Sequence, residues 1–141
     1  MKKFFLSGFL LFCFLTGATQ IDSLSRLEYD VKLNDVWGYV DTSGNEYALV
    51  GLYDGLSIVE ITNPLNPVEV FRSVGPETIW RDIKVYNNFA YVTNEAGGGV
   101  RIYDLSVLPD SYEIPFTDFN GETGKEFETA HNLFIGEKVF L

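Results

Sequence analysis

The sequence predicts an all-β fold of the β-propeller type, on the strength of three observations. A strand-rich unit recurs after about 40 to 50 residues, the spacing of propeller blades. β-Branched and aromatic residues dominate the apolar runs, and Gly, Pro, Asn and Asp separate these runs. No helical periodicity follows the first twenty residues. We therefore expect two full four-stranded blades and the start of a third, an incomplete propeller.

The repeat is visible by internal comparison. Residues 47–50 match residues 89–92 at a spacing of 42 residues, and residues 55–61 match residues 99–105 at a spacing of 44. A third unit begins at residues 131–135 with a similar polar and then apolar pattern. The two-residue difference between the spacings falls in a glycine-rich loop, where an insertion costs little.

Each full unit is predicted to contain four strands in chain order. The predicted strands are about 35–39, 46–52, 56–61 and 68–73 in the first unit, and about 82–86, 89–94, 100–105 and 112–117 in the second. In the third strand, Leu56 and Ile58 face one way, whereas Val59 and Ile61 face the other. A sheet that is apolar on both faces needs a neighbour on each side, which favours stacked blades over a two-layer sandwich.

The predicted domain organisation has three parts. Residues 1–20 are a signal peptide, residues 21–34 a lead-in segment, and residues 35–141 a partial propeller. Its blades span about 35–73, 82–117 and 130–141, the last of them truncated. Because a closed ring takes at least about four blades, we expect this sequence to be an N-terminal fragment of a longer propeller.

The first twenty residues have the three regions of a secretory signal. Lys2 and Lys3 give a positive start, residues 4–15 are almost wholly apolar, and small residues follow at 16–18. The apolar run is too short for an ordinary membrane span. We expect an exported protein, located outside the cell, at the cell surface or in the periplasm. Its only cysteine, Cys13, leaves with the signal, and no membrane span remains.

The charge balance limits the choice of partner. The chain has 10 basic and 20 acidic residues and a pI near 4.4, which argues against nucleic acid, since a polyanion needs a cationic surface. A surface protein, a polysaccharide or a small polar ligand is the expected partner.

Polar residues recur where the innermost strand of each unit begins. In a propeller these positions lie beside the mouth of the central channel, so successive blades would gather them into one polar ring. Two tryptophans flank the ring, although packing in the core or between blades is the simpler role for them. The ligand-binding candidates are Asn34, Asp35, Arg81, Asp82, His131, Asn132, Trp37 and Trp80.

Two interpretations of this ring remain open. The carboxylates could bind a cation, for which Ca²⁺ is the expected choice because no thiolate is available, or a small polar ligand, with Arg81 holding a carboxylate or an anionic ligand. Alternatively, the Asp and Asn side chains cap blade-to-blade turns by accepting backbone N–H bonds. The loop at 41–45 likewise resembles a calcium loop faintly and a hairpin turn more closely.

Binding is favoured over catalysis. No nucleophile motif or paired histidines appear, and one histidine, His131, cannot build a triad or a multi-histidine metal site. The alternative function is a metal-assisted hydrolase or lyase with its site at the channel mouth, completed by repeats missing from this sequence.

Several motifs in order resemble one known family. Residues 37–39, 46–52, 62–67, 79–86 and 130–132 are similar to hallmarks of the choice-of-anchor B family, whose units are LVIVD repeats. The resemblance extends from about residue 37 to 141. It implies an exported propeller whose members carry differing C-terminal anchors or sorting tails and whose biochemical role is largely unassigned.

Overall fold

The computed structural model describes residues 21–136 and 139–140. The predicted signal peptide and Cys13 lie outside these residues. Within them there is no α-helix, and so none long and apolar enough to cross a membrane.

Two four-stranded antiparallel sheets account for most of the structure. The first has the order β1 (Leu33–Val40), β2 (Glu46–Leu52), β3 (Gly55–Glu60) and β4 (Val68–Val74). The second has the order β5 (Ile83–Tyr86), β6 (Phe89–Thr93), β7 (Val100–Asp104) and β8 (Phe116–Phe119). We call these sheets blade 1 and blade 2. They confirm an all-β, incomplete propeller with consecutive strands side by side.

Shorter elements follow blade 2. A hairpin pairs β9 (Gly121–Glu122) with β10 (Lys125–Glu126), and another pairs β11 (Phe134–Ile135) with β12 (Val139–Phe140). Strand β1 contacts β5, and β5 contacts β11. The first strand of each unit therefore lies beside the first strand of the next, which is the arrangement of innermost strands in a propeller.

The blades pack through one shared core. Its members come from both blades and from the segment between β7 and β8: Tyr39, Tyr47, Leu49, Leu56, Ile58, Ile83, Ala90, Val92, Tyr103, Leu105, Leu108 and Ile114. On the opposite face of blade 1, Ser57 is fully buried and its Oγ lies 2.9 Å from the hydroxyl of Tyr29 in the lead-in segment. Blade 1 is thus covered on both faces at β3, as its double-sided apolar pattern predicts.

The last strand of blade 2 was predicted too early. It was expected at about 112–117, whereas β8 spans Phe116–Phe119. Pro115 has no N–H to give to the ladder, although its carbonyl accepts a bond from the N–H of Asp104 at 2.9 Å. A 3₁₀ turn at Leu105–Val107, not predicted, also shortens β7, because the side chain of Asp104 accepts the N–H of Ser106.

Matched glycines lie where the third strand of each blade starts: Gly55 begins β3, and Gly99 immediately precedes β7. A Cβ on Gly55 would lie 1.9 Å from the carbonyl oxygen of Ser73, and one on Gly99 would lie 2.3 Å from that of Phe119. Both positions therefore require glycine, because the fourth strand approaches the backbone too closely for any side chain.

Candidate functional site

The predicted site residues lie towards one end of the blades. Leu33 pairs with Leu52, and Gly55 pairs with Val74. The start of β1, the turn between β2 and β3 and the end of β4 therefore share that end. In blade 2 the start of β5 and the turn between β6 and β7 have the same placement. We call this region the inner-strand end.

Two of the predicted carboxylates join successive units. Oδ2 of Asp35 accepts the N–H of Ile83 at 2.8 Å, and Oδ2 of Asp82 accepts the N–H of Leu133 at 2.8 Å. Each aspartate thus binds the backbone at the innermost strand of the following unit. This is the blade-to-blade capping role that the sequence left open beside ligand binding. We call the two contacts the aspartate stitches.

The second oxygen of Asp82 is also engaged. Its Oδ1 forms an ion pair with Nζ of Lys84, and that ammonium lies 4.5 Å from the ring centre of Trp37 in blade 1. Lys84 therefore partly neutralises the negative charge of the polar ring and connects blade 1 with blade 2.

The side chain of Asn34 is held by contacts within the protein. Its Nδ2 donates to the carbonyls of Thr78 at 3.2 Å and Leu52 at 3.4 Å. Its Oδ1 is buried without a hydrogen-bond partner and faces Gly51, where a Cβ would come within 2.2 Å. The amide therefore holds the segment between the blades against the end of β2.

Arg81 was expected to hold a carboxylate or an anionic ligand in the ring, and its observed contacts differ. Its Nε donates to the carbonyl of Leu52 at 2.8 Å, and its Nη2 donates to the carbonyl of Pro76. The side chain lies in a cleft between the blades that neither Asp35 nor Asp82 lines. Among the described residues no carboxylate is within ion-pair distance of it. Burial lowers the pKa of Arg81; Tyr103 and Asp54 oppose this shift, and the charge of nearby Arg101 adds to it.

Three of the four remaining candidates, Trp80, His131 and Asn132, lie at an exposed surface. The ring centres of Trp80 and His131 are 5.6 Å apart, and each residue is about half exposed. Nδ1 of His131 is hydrogen-bonded to Oε1 of Glu95. Asn132 is exposed beside His131 and lines the same shallow depression. Trp37 is 40% exposed, so it packs against Lys84 of the other blade but is not fully buried.

Sequence reasoning missed the partners of these residues. Glu95 and Thr93 belong to no motif, and Lys84 lies in the 79–86 motif but was given no role. Glu95 nevertheless binds His131, and Oγ1 of Thr93 accepts the N–H of Asp82 at 2.7 Å and donates to the carbonyl of His131 at 3.0 Å. The recurrence of polar residues at strand starts identified one residue of each contact. The second residue can be identified only from the folded structure.

The loop beginning at Asp41 is a hydrogen-bonded turn. Oδ1 of Asp41 accepts the N–H groups of Ser43 and Asn45 at 2.8 and 2.9 Å, and Oδ2 accepts from the Asn45 amide and the Tyr47 hydroxyl. Elsewhere in residues 21–136 and 139–140, no group of three His, Cys, Asp or Glu side chains is placed to hold a metal ion.

Comparison with known proteins supports the repeat. Residues 38–74 and 80–106 match the family model of the LVIVD repeat. The first match covers most of blade 1, and the second covers the first three strands of blade 2. No curated protein and no solved structure gives a significant match. These matches support a repeat family of the LVIVD type, and the fold and the matches together indicate a propeller-type interaction module. The finer assignment to the choice-of-anchor B family stays a prediction.

Proposed function

We propose that this chain is an exported propeller-type binding module that takes its ligand at the inner-strand end, and that the ligand is a polysaccharide. The observation that carries the proposal is the exposed pair of Trp80 and His131. The indole is 54% exposed although the chain has a well-packed core elsewhere. Because large aromatic side chains are usually withdrawn from water, an exposed ring beside polar groups is typical of a binding surface.

The chemistry around this pair suits a sugar ring. An indole face offers an apolar platform of the size of one pyranose, while Glu95 and Asn132 carry oxygen acceptors and amide donors for hydroxyl groups. Glu95 also orients the imidazole through Nδ1. The other partners expected from the sequence are a surface protein and a small polar ligand. Neither needs an exposed indole face, oxygen acceptors and amide donors all together, as a sugar ring does.

Export rests on the first twenty residues. Their positive start, apolar run and small residues predict cleavage that leaves a new N-terminus between Thr19 and Asp22. An attached anchor or sorting tail, as in the choice-of-anchor B family, would keep the module at the cell surface.

The proposal is tested by expressing the full chain with its leader in a secreting bacterial host. We expect exported material with an N-terminus between Thr19 and Asp22 and saturable binding to at least one member of a neutral polysaccharide panel. Trp80→Ala should weaken that binding at least about tenfold, the loss of about 1.4 kcal/mol.

Tyr112→Ala is the matched control. Tyr112 is an exposed aromatic residue whose hydroxyl bonds Glu60 at the opposite end of blade 1. Its loss should leave binding unchanged. An intact Met1 on all material would refute export. Absence of polysaccharide binding by the wild type, or equal losses in both variants, would refute the assigned surface.

A further inference from the structure

A cleft between blade 1 and blade 2 holds two arginines. Its volume is about 80 Å³, and it lies between the end of β4 and the turn that joins β6 to β7. Residues from both blades line it, among them Gly75, Arg81, Asn94, Gly98, Arg101 and Asp118. A space of this size holds one small polar group rather than a whole ligand.

The two guanidinium groups converge on one point in this cleft. A Cβ placed on Gly75 would lie 3.6 Å from Nη1 of Arg101 and 3.9 Å from Nη2 of Arg81. Both are distances of ordinary contact, and Gly75 does not have a positive φ. Nothing in the backbone therefore demands glycine there, yet its missing side chain leaves the space between the two cations open.

The charges in the cleft do not balance. Arg101 is paired with Asp118 through Nε–Oδ1 at 2.7 Å and Nη2–Oδ2 at 3.0 Å, and its Nη1 donates to the carbonyl of Val74. Arg81 is 9% exposed, and among the described residues its side chain hydrogen-bonds the two backbone carbonyls named above and no carboxylate. Two guanidinium groups and one carboxylate line the cleft, so one positive charge has no counter-ion within the cleft itself, in a chain with a formal net charge of −10.

We propose that this cleft is a binding site for one small oxyanion group, such as a carboxylate, held between Arg81 and Arg101 beside Gly75. A guanidinium matches the planar fork of a carboxylate and donates charge-assisted hydrogen bonds to it. A buried cation without a counter-ion is costly, so an entering anion gains more here than at an exposed arginine. The bound group would belong to a ligand whose remainder lies outside the cleft.

The test is a calorimetric titration of the full chain with acetate, sulfate and phosphate, each against sodium chloride at matched ionic strength. We expect saturable binding with a Kd below about 50 mM for at least one of these oxyanions. Preference for acetate would indicate a planar carboxylate, and preference for sulfate or phosphate would indicate a tetrahedral group. No saturable binding to any of the three overturns the proposal.

Substitutions at Gly75 locate the site. Gly75→Asp places a carboxylate within reach of both arginines, so it should weaken oxyanion binding at least about tenfold and raise the melting temperature. Gly75→Asn has the same size without the charge, and should raise the melting temperature less. Gly75→Ala, which makes only ordinary contacts, should still bind. Unchanged affinity in Gly75→Asp places the binding elsewhere and refutes the site. Should Gly75→Asp fail to fold, Arg81→Lys, which keeps the charge but loses the planar guanidinium, should weaken binding at least about threefold, and unchanged affinity in it would refute the site.

Discussion

At the scale of single residues, aspartates perform most of the local organisation. Asp41 closes a hairpin turn, Asp104 caps a 3₁₀ turn, and Asp35 and Asp82 bind backbone N–H groups of the next unit. The shared chemistry is a short carboxylate that accepts from amides which the sheet leaves unpaired. Some acidic residues of this chain therefore have a structural role, and its acidity is not only that of a solvated surface.

The turn at Asp41 makes stability depend on pH. Burial alone would raise the pKa of Asp41, but bonds from Asn45, Ser43 and Tyr47 together lower it below the ordinary value. A lowered folded-state pKa stabilises the protein above the unfolded pKa near 3.9, and this stabilisation is lost as the pH falls through the folded value. The free energy of unfolding should therefore fall in acid, below about pH 4, more steeply in the wild type than in Asp41→Asn.

Urea unfolding between neutral pH and pH 3 checks this expectation. Asp41→Asn should be less stable than the wild type at pH 7, and the difference should shrink in acid. The same substitution at exposed Asp110 serves as the control and should leave the curve unchanged. A constant difference between wild type and Asp41→Asn across the range would contradict the account.

Sequence reasoning identified polar positions at which the units join but not the partners of those residues. Asp35 and Asp82 stood out because they recur at the start of inner strands, yet their partners lie in the following unit, beyond any local pattern. Arg81 was placed in the ring because it occupies the position in its unit that Asn34 and His131 occupy in theirs. Its side chain instead lies in the inter-blade cleft, where carbonyls at Leu52 and Pro76 are within reach. The direction of a long side chain at a bend in the backbone depends on residues that are distant in sequence. These residues cannot be identified from the sequence alone.

At the scale of elements, the strands were predictable wherever the apolar run ended at a turn signal. Strand β2 matches its predicted range of 46–52, because a turn precedes it and a tight turn follows it. Strand β8 does not match, because aromatic and apolar residues at 112–117 read as a strand while Pro115 breaks the ladder. Ile114 is buried all the same, so its hydrophobicity reports packing and not strand pairing.

The matched glycines Gly55 and Gly99, where β3 and β7 start, give a prediction for these strands. Gly55→Ala would force its methyl group against the carbonyl of Ser73, so the β3–β4 pairing must open or shift. We expect a loss of at least about 2 kcal/mol in the free energy of unfolding, measured by urea denaturation. Gly99→Ala should behave alike because of the carbonyl of Phe119.

Gly38→Ala is the matched control for these substitutions. Gly38 lies exposed in β1, and a Cβ there meets nothing within 4 Å. Its effect should stay within about 0.5 kcal/mol. Similar losses at Gly38 and Gly55 would show that backbone entropy, and not the close approach of β4, explains the glycine.

At the scale of the whole molecule, the repeat carried the fold prediction. Units that recur with strands of matching length can bury their apolar faces only against one another, which is why an all-β propeller followed from spacing and two-sided hydrophobicity. The inter-blade cleft was not foreseeable, since it is formed by the end of one blade and a glycine loop of the next. The boundaries of the domains and export stay predictions from sequence.

The aspartate stitches should hold the units together. Asp82→Ala leaves the N–H of Leu133 without its acceptor and releases Lys84, so the free energy of unfolding should fall by about 0.5–2 kcal/mol, as on loss of a helix cap. Amide hydrogen exchange should quicken over residues 130–136 more than in β2. Asp110→Ala, an exposed aspartate, should change neither. Unaltered exchange at Leu133 in Asp82→Ala would show that the stitch contributes nothing.

The stitches also have a direction. The acceptor belongs to the earlier unit and the donor to the later one, at Asp35 with Ile83 and again at Asp82 with Leu133. The joint is therefore head-to-tail rather than self-complementary. During synthesis each carboxylate is already in place when the amide that it binds leaves the ribosome. In-frame duplication or deletion of a unit that carries this aspartate would therefore leave each remaining carboxylate with an amide to bind. Blade number could change in this way without a change in how those units join.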